Sequence, residues 1–421
     1  MRILVLGSGA REHAIITALL RERGADGAPA HDITAAPGNA GIAEVVETVA
    51  LDPTRGDVVA DYAVDNDMHL VVIGPEAPLV AGVADAVRRR GIPVFGPGAA
   101  AAQLEGSKTF AKRIMDDAGV PTGRAVRAGT HAEVEAALDE LGAPYVVKAD
   151  GLAAGKGVIV TNDRTAALSH AEHYLQQGGV LVEEFLDGQE VSLFLLSDGH
   201  SVVPLSPAQD YKRALDGDAG PNTGGMGAYS PLPWAPEGFV DEVIRTVAEP
   251  TVRQLESEGT PFIGLLYCGL IVTEQGIRVI EFNARFGDPE TQVVLPRLVT
   301  PLSELLLAAS TGQLAGRPHP QFSDDVAVTV VLASEGYPTS SAPNRPLTGL
   351  DEAVEVEGVH LCHAATARTD EGFVATGGRV LSVVATGADF AEARSRAYEA
   401  IGRIGLVGGQ YRTDIAARVV S

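Results

Sequence analysis

The chain has 421 residues, 45% of them hydrophobic, enough for roughly two to four domains with a sizeable core. Its 32 Lys and Arg face 55 Asp and Glu, and the net charge of −23 would repel a nucleic-acid backbone, so any phosphate must be held by a local site. No run of about 18 apolar residues could span a membrane, and Cys268 and Cys362 form no CxxC or disulfide framework. The opening MRILVLG is too short an apolar run for a leader and reads as a first strand. A cytoplasmic protein that engages neither nucleic acid nor membrane is expected.

Along residues 1–96 short apolar strands (RILVLG, DITAA, HLVVIG, IPVFG) alternate with helical patterns (EHAIITALL, LVAGVADAVRRRG), which argues a parallel sheet covered by helices. GSGAREHA (7–14) falls at the first strand-to-helix turn, where Gly7 and Gly9 would let amides and a helix N-terminus face an anion. APGNAG (36–41) and GPEAP (74–78) follow the second and third strands on the same sheet edge. A helix over about 99–118 leads to Pro121. From 122 to 189 the pattern predicts a small α+β lobe, and from 190 to 322 a larger lobe with hairpins at Asp198-Gly199 and across TEQG. Residues 317–320 precede a last strand-rich region that ends in the helix FAEARSRAYEAIGRI.

Four segments carry chemistry. KADGLAAGKGVIV (148–160) places glycines 151, 155 and 157 between two strands with Lys148 and Lys156 bracketing them, a suitable phosphate cover though not a P-loop. The alternative is an ordinary Gly-rich hairpin with solvated lysines. VEEFLDGQE (182–190) could expose backbone to an adenine edge near Glu183 or Glu184 and offer Glu190 to a ribose; it could equally be a solvated acidic loop. EFNARFGDPE (281–290) ends a strand whose period of two puts Glu281, Asn283 and Arg285 on one face and Ile280, Phe282 and Ala284 on the other. Glu281 and Asn283 would suit Mg²⁺, which commonly takes one or two protein oxygens plus substrate phosphates; an exposed face with Arg285 paired to Glu281 is the alternative. GPNTGGMGAYSP (220–231) offers amides at Asn222, Thr223, Gly224 and Gly225 to an anion or carboxylate; by itself it could equally be a surface loop.

Taken together these segments, with FGPGAAAAQLEGSKTFAK and the late TGGRVL, resemble the ATP-grasp enzymes and within them the phosphoribosylamine–glycine ligase family, through nearly the whole chain and in family order. The resemblance implies an α/β and α+β fold. Its parts would be an amino-terminal Rossmann-like parallel sheet (1–103), an ATP-grasp central lobe (104–120 and 190–324), a small lid lobe (121–189) and a strand-rich carboxy-terminal domain (325–421). It implies ATP and Mg²⁺ or Mn²⁺ as cofactors and glycine and 5-phosphoribosylamine as substrates of a monomer.

Carried over by motif, Lys108, Lys148, Gly155, Lys156 and Gly157 would hold the ATP phosphates, Glu183, Glu184, Phe185 and Leu186 the adenine, Glu190 the ribose, and Glu281 and Asn283 the metal. The substrates would meet Gly9, Arg11, Glu12, Asn39, Glu76, Asp210, Lys212, Asn222, Thr223, Gly224, Gly225, Arg285, Gly287 and Asp288, with Lys148, Arg285 and Asp288 catalytic. Replacing Lys148, Glu281 or Arg285 is expected to abolish product formation without unfolding the chain.

The implied reaction passes through glycyl phosphate to glycinamide ribonucleotide, ADP and phosphate, a step of purine synthesis. The sequence departs from the family at Ser8 and Ala10 and in a short connection between VIV and VLVEEF. At Cys268, many ATP-grasp enzymes carry a third metal carboxylate. The alternative inside the superfamily is a purine-pathway ligase or carboxylase using bicarbonate or formate. A nicotinamide oxidoreductase fails because Glu12 replaces the third glycine of GxGxxG, and a silent nucleotide binder is disfavoured by Lys108, Lys148, Glu281 and Asn283. Cys362 and His363 are assigned to packing; His13 either lines the substrate site or lies on a helix surface.

Overall fold

Alternating apolar runs and helical patterns at the amino terminus build the expected parallel sheet. In the computed structural model, which describes residues 1–151 and 157–420, β1 (Arg2–Gly7), β2 (Asp32–Pro37), β3 (Glu47–Thr48), β4 (Leu70–Ile73) and β5 (Val94–Phe95) lie in the order β3-β2-β1-β4-β5. Ile3 to Leu6 of β1 are fully buried, as a central strand covered on both faces must be. Helices α1 (Ala10–Leu20), α2 (Gly56–Asp65), α3 (Glu76–Val80) and α4 (Val83–Arg89) supply the cover. The helix expected across 79–91 is two helices, because Gly82 takes a left-handed conformation (φ 78°). The helix expected over 99–118 also breaks, into α5 (Ala99–Gly106) and α6 (Lys108–Asp117). Ser107 between them is extended and its Oγ accepts from the Phe110 amide at 3.2 Å, capping α6 and placing Lys108 at its first turn.

The small lobe comprises β6 (Ala125–Ala128), α7 (His131–Leu141), β7 (Tyr145–Ala149), β8 (Val158–Thr161), α8 (Arg164–Leu175) and β9 (Val180–Glu183). Its sheet runs β6-β9-β7-β8 over a core of its own that includes Val134, Leu138, Val147 and Val182. Next come β10 (Gln189–Asp198), β11 (Val202–Pro204), β12 (Gln209–Asp210), the hairpin β13 (Arg213–Leu215) and β14 (Ala219–Asn222), and β15 (Gly227–Ser230). Helices α9 (Phe239–Val243) and α10 (Glu249–Ser257) lead to the hairpin β16 (Ile263–Thr273) and β17 (Gly276–Asn283), then to α11 (Thr291–Val294) and α12 (Leu302–Ser310). The central sheet is β11-β10-β16-β17.

One irregularity in that sheet corrects the expected alternation. Gly269 pairs with Glu281 but Leu270 pairs with Val279, so Ile280 is an extra residue, a bulge. Before it Ile277 and Val279 are buried; after it Phe282 and Ala284 are. Ile280 therefore leaves the face of Phe282 and Ala284 and faces the cleft described below.

The last part of the chain holds β18 (Val326–Ala333), β19 (Arg345–Pro346), α13 (Leu350–Val354), β20 (Val359–His363), β21 (Thr366–Thr369), β22 (Gly372–Ala375), β23 (Arg379–Gly387) and α14 (Phe390–Arg403). One sheet, β12-β15-β18-β23-β20, combines strands from both sides of residue 325, and a smaller one runs β19-β22-β21. Among the described residues no helix is long and apolar enough to cross a membrane.

Helix α1 packs on β20, with Ala10 and Ala14 against Cys362 and Val384. There the His363 amide donates to Nδ1 of His13 at 3.0 Å, and the two rings lie 5.7 Å apart. Burial, followed by the charges of His363 and His360, lowers His13 to about 3; burial lowers His363 to about 4, and burial with Arg21 beside it lowers His360 to about 4. These imidazoles stay neutral when folded but take up protons in the unfolded chain below its ordinary value near 6.5. The stability they contribute is thus complete above about pH 6.5 and is lost on acidification toward about 4 for His360 and His363 and about 3 for His13. Thermal midpoints measured from about pH 7.5 to 5 should fall steeply and less so in His13→Asn, which keeps an acceptor but cannot titrate; an unchanged slope in the variant would assign the acid sensitivity elsewhere.

Candidate active site

A cleft of about 1350 Å³ opens between the small lobe and the central sheet. Met115, Val146, Val158, Val160, Leu186, Ile271 and Ile280 give part of its wall an apolar lining suited to the faces of a planar ring. Phe185 and Leu186 follow the end of β9. Glu184 beside them has its amide on the Arg124 carbonyl at 3.0 Å and its carboxylate 3.1 Å from the Arg124 guanidinium. Glu183 behaves differently from the expected adenine reader: its carboxylate turns inward, 2.9 Å from Lys148 Nζ and 3.4 Å from Lys112 Nζ. Only its backbone belongs to the connecting strand.

Lys148 and Glu183 are 5% and 6% exposed, so the pair is a buried one, and Lys148 also donates to the Ile280 carbonyl at 3.3 Å. Lys108 donates to the Gly151 carbonyl at 3.1 Å. Burial lowers the Lys108 and Lys112 ammonium groups, opposed chiefly by Glu281 and Glu183 respectively. Gly157 lines the cleft, while Gly155 and Lys156 lie outside the described residues.

Glu281 and Asn283 both line the cleft. Burial would raise the Glu281 carboxyl, but Lys212, Lys148, Lys108 and Arg285 together outweigh it and hold the group below its usual value. An ionised carboxylate beside an amide oxygen fits a hard divalent cation. Across the ladder, Tyr267 faces Asn283 and Gly269 faces Glu281, whereas Cys268 is opposite Phe282 and wholly buried. The position expected for a third carboxylate thus points into the core; burial pushes the Cys268 thiol above its ordinary range. No group of three His, Cys, Asp or Glu that could hold a metal occurs among the described residues.

The rest of the cleft is a network of paired charges. Arg285 Nη2 lies 2.9 Å from Glu105 and its Nε 3.4 Å from Glu76. That Nε is buried, with the Glu76 carboxylate as its ion-pair partner. Burial would raise Glu76, but Arg285 and Arg11 hold it below its usual value; burial raises Glu105 despite Arg285. Lys212 pairs with Glu190 at 2.6 Å, and Asp210 is pushed up to about 7 by burial, against the pull of Lys212. Thr223 Oγ donates to the Lys212 carbonyl and accepts from the Gly225 amide, both at 2.9 Å. Asp288 is below its usual value because Arg379, Arg11, Gln292 and Arg285 outweigh burial.

The structure thus brings Lys108, Lys148, Glu183 to Leu186, Glu190, Glu281, Asn283, Arg11, Glu76, Asp210, Lys212, Asn222, Thr223, Gly224, Arg285, Gly287 and Asp288 around one cleft. Gly9, Glu12, Asn39 and Gly225 are not in its wall. The Gly9 amide donates to Glu12 at 2.6 Å, and Arg11 pairs with the same carboxylate, so Glu12 itself occupies the α1 N-terminus where an anion was expected. Asn39 accepts from the Gly41 and Ile42 amides and donates to the Ser8 and His363 carbonyls, which uses all its polar atoms in a turn. Sequence reasoning missed Glu105, Lys112, Tyr267, Glu290, Tyr337 and Arg379. Buried Glu290 accepts from Ser192 at 3.0 Å and Tyr267 at 2.8 Å. Arg379 donates to the Gly224 carbonyl at 2.7 Å and the Asp288 carbonyl at 2.8 Å. Its one signal was its place in TGGRVL.

Two lobes closing on a lysine-lined cleft define an ATP-grasp enzyme. The biotin carboxylase domain of Hydrogenobacter thermophilus 2-oxoglutarate carboxylase, in complex with MgADP and bicarbonate, shares this fold with a TM-score of 0.69 at 16% identity, over 97% of this chain and 91% of that one. Models of phosphoribosylglycinamide synthetase match in three parts, the N domain at 1–105, the ATP-grasp (A) domain at 106–291 and the C domain at 327–418. The phosphoribosylamine–glycine ligase of Leifsonia xyli subsp. xyli is 74% identical over 99% of this chain and all of its own. The crystal structure of that ligase from Thermotoga maritima has a TM-score of 0.83 at 32% identity, covering 98% of this chain and 100% of the other. The chain belongs to the phosphoribosylamine–glycine ligase family.

The setting of Arg285 changes what its removal should do. Arg285→Ala strands Glu105 and Glu76, one of them deeply buried, and should lower stability by about 3–5 kcal/mol as well as activity; urea unfolding within about 1 kcal/mol of the parent would contradict this. At Gly287 an added Cβ would lie 2.6 Å from Glu290 Oε2, so Gly287→Ala should displace that carboxylate and depress kcat/KM, with unchanged kinetics as the opposing result.

Proposed function

We propose that the protein joins glycine to 5-phosphoribosylamine with ATP, through glycyl phosphate, and releases glycinamide ribonucleotide, ADP and phosphate for purine biosynthesis. The carrying observation is the placement of Lys108, Lys148, Glu281, Asn283 and Arg285 around a single cleft. The adenine would lie between the apolar walls with its edge on the 183–186 strand end, and the ribose near Glu190. Mg²⁺ or Mn²⁺ held by Glu281, Asn283 and the phosphates would neutralise charge on the transferring group.

Lys148 is fixed by Glu183 and the Ile280 carbonyl before any ligand arrives, so its ammonium costs little reorganisation when negative charge develops. A glycine carboxylate oxygen, oriented by the Arg285 guanidinium, attacks the γ-phosphorus, and the bond to the bridging oxygen of ADP breaks. The amine of phosphoribosylamine then attacks the acyl carbon, the carbon–oxygen bond to phosphate breaks, and the nitrogen loses a proton. No side-chain nucleophile is needed; positioning and electrostatics carry the reaction. Asp210, Lys212, Asn222, Thr223, Gly224, Gly287 and Asp288 would line the place of the two non-nucleotide substrates.

ADP release should require glycine and freshly generated phosphoribosylamine together, with glycinamide ribonucleotide identified by mass. Lys148→Ala and Glu281→Gln should lose about 100-fold or more in kcat. Release that ignores glycine and responds to bicarbonate or formate would overturn the substrate assignment.

A further inference from the structure

The carboxy-terminal segment 410–419 does something that neither the motifs nor the catalytic proposal account for. Arg412 is wholly buried, and each nitrogen of its guanidinium has a partner. Nε and Nη2 grip Asp414 in a fork, each at 2.7 Å. Nη1 donates to Asp218 at 2.9 Å and to the Arg213 carbonyl at 3.2 Å, and the cation lies over the Tyr211 ring at 4.8 Å.

Three of those partners belong to the segment that carries the expected substrate groups. Tyr211 stands between Asp210 and Lys212, and the β13–β14 hairpin ends at Asn222. That hairpin forms a sheet of only two strands with Leu215 54% exposed, and such a pair is marginal without outside support. Further ties reach the same place. The Thr413 amide donates to Asp216 at 2.8 Å, the Gly217 amide to Asp414 at 2.8 Å, and the Ala416 amide to the Tyr211 hydroxyl at 2.9 Å. On its other side the segment is held by α14, where Arg394 donates to the Thr413 and Ile415 carbonyls and Tyr398 to that of Arg412.

We infer that Arg412 is a positioning residue, which fixes the 210–223 segment to the carboxy-terminal helix so that its side chains meet the non-nucleotide substrates in register. The inference rests on the reading above that this segment faces glycine and phosphoribosylamine. Although the segment reaches the nucleotide side through Lys212 on Glu190, Lys148, Glu183 and Glu281 are not among the partners of the tie, so its loss should be felt at those substrates more than at ATP.

The test is steady-state kinetics of the full chain with each of the three substrates varied in turn, for Arg412→Lys, Asp216→Asn and Asn222→Ala, with thermal midpoints alongside. Lysine keeps the charge but loses the fork; Asp216 is exposed, so its variant decides the matter if Arg412→Lys fails to fold. Arg412→Lys should raise KM for glycine or phosphoribosylamine about fivefold or more with KM for ATP within about twofold, and Asp216→Asn should move the same constant less. Unchanged constants, or a loss shared equally by all three substrates in step with lost folded protein, would overturn the inference. If Asn222→Ala still raises the substrate KM, the site reading stands and only the positioning role falls; if Asn222→Ala is also silent, the site reading itself fails.

Discussion

The cleft depends on one extra residue in β17. Had the strand kept its period of two from Ile277 onward, the odd-numbered residues that fill the core before Ile280 would have continued to do so, and Glu281 and Asn283 would have been driven inward. The bulge resets the phase. It turns Ile280 to the cleft wall, lets its carbonyl hold Lys148, and aims Glu281 and Asn283 at the same space. Gly269 opposite makes this possible, since a Cβ there would meet Glu281 Cγ at 3.1 Å.

Around that strand the protein solves an electrostatic problem set by its own composition. A chain of net charge −23 has to attract a polyanionic nucleotide, and it does so with ammonium groups removed from water. Buried lysines alone would shed their protons. Lys148 and Lys112 share Glu183, Lys212 takes Glu190, and Lys108 feels Glu281. The same lysines in turn hold Glu281 ionised despite its burial. Each charge keeps another in the state it needs, so the groups proposed for the metal and those proposed for the phosphates are one network and not two sites.

The elements of the fold were largely legible in the sequence because its signals are local: near-continuous apolar runs for β10 and β16, turn chemistry at Asp198-Gly199, and the glycines near Lys148. Boundaries failed where one residue breaks a long helical pattern, as at Gly82 and Ser107, since periodicity is insensitive to a single dihedral. The two-residue β3 is too short for any pattern. Most of the described motif residues line one cleft, but their duties were less readable. Glu183 sits in the strand expected to face the adenine yet spends its carboxylate on lysines. Glu12 and Asn39 lie in motif positions and serve the backbone around them. Arg379 is 91 residues from Asp288 and carries no local mark of the contact, because only the β18–β23 pairing brings it there.

Glycine in this protein is as much about space as about flexibility. A Cβ at Gly74 would lie 2.1 Å from Glu12 Oε1, and one at Gly287 would lie 2.6 Å from Glu290 Oε2. Buried carboxylates need close approach to their donors, and a side chain on the neighbouring strand or turn would hold them off. With Gly74 bare, Glu12 can reach both the Gly9 amide and Arg11, which leaves Arg11 Nη1 to bind the Phe286 carbonyl and lock the amino-terminal helix to the turn after β17. The glycines of the motifs therefore set where charges can stand, and through Arg11 they connect the amino-terminal sheet to the strand end that carries Glu281, Asn283 and Arg285.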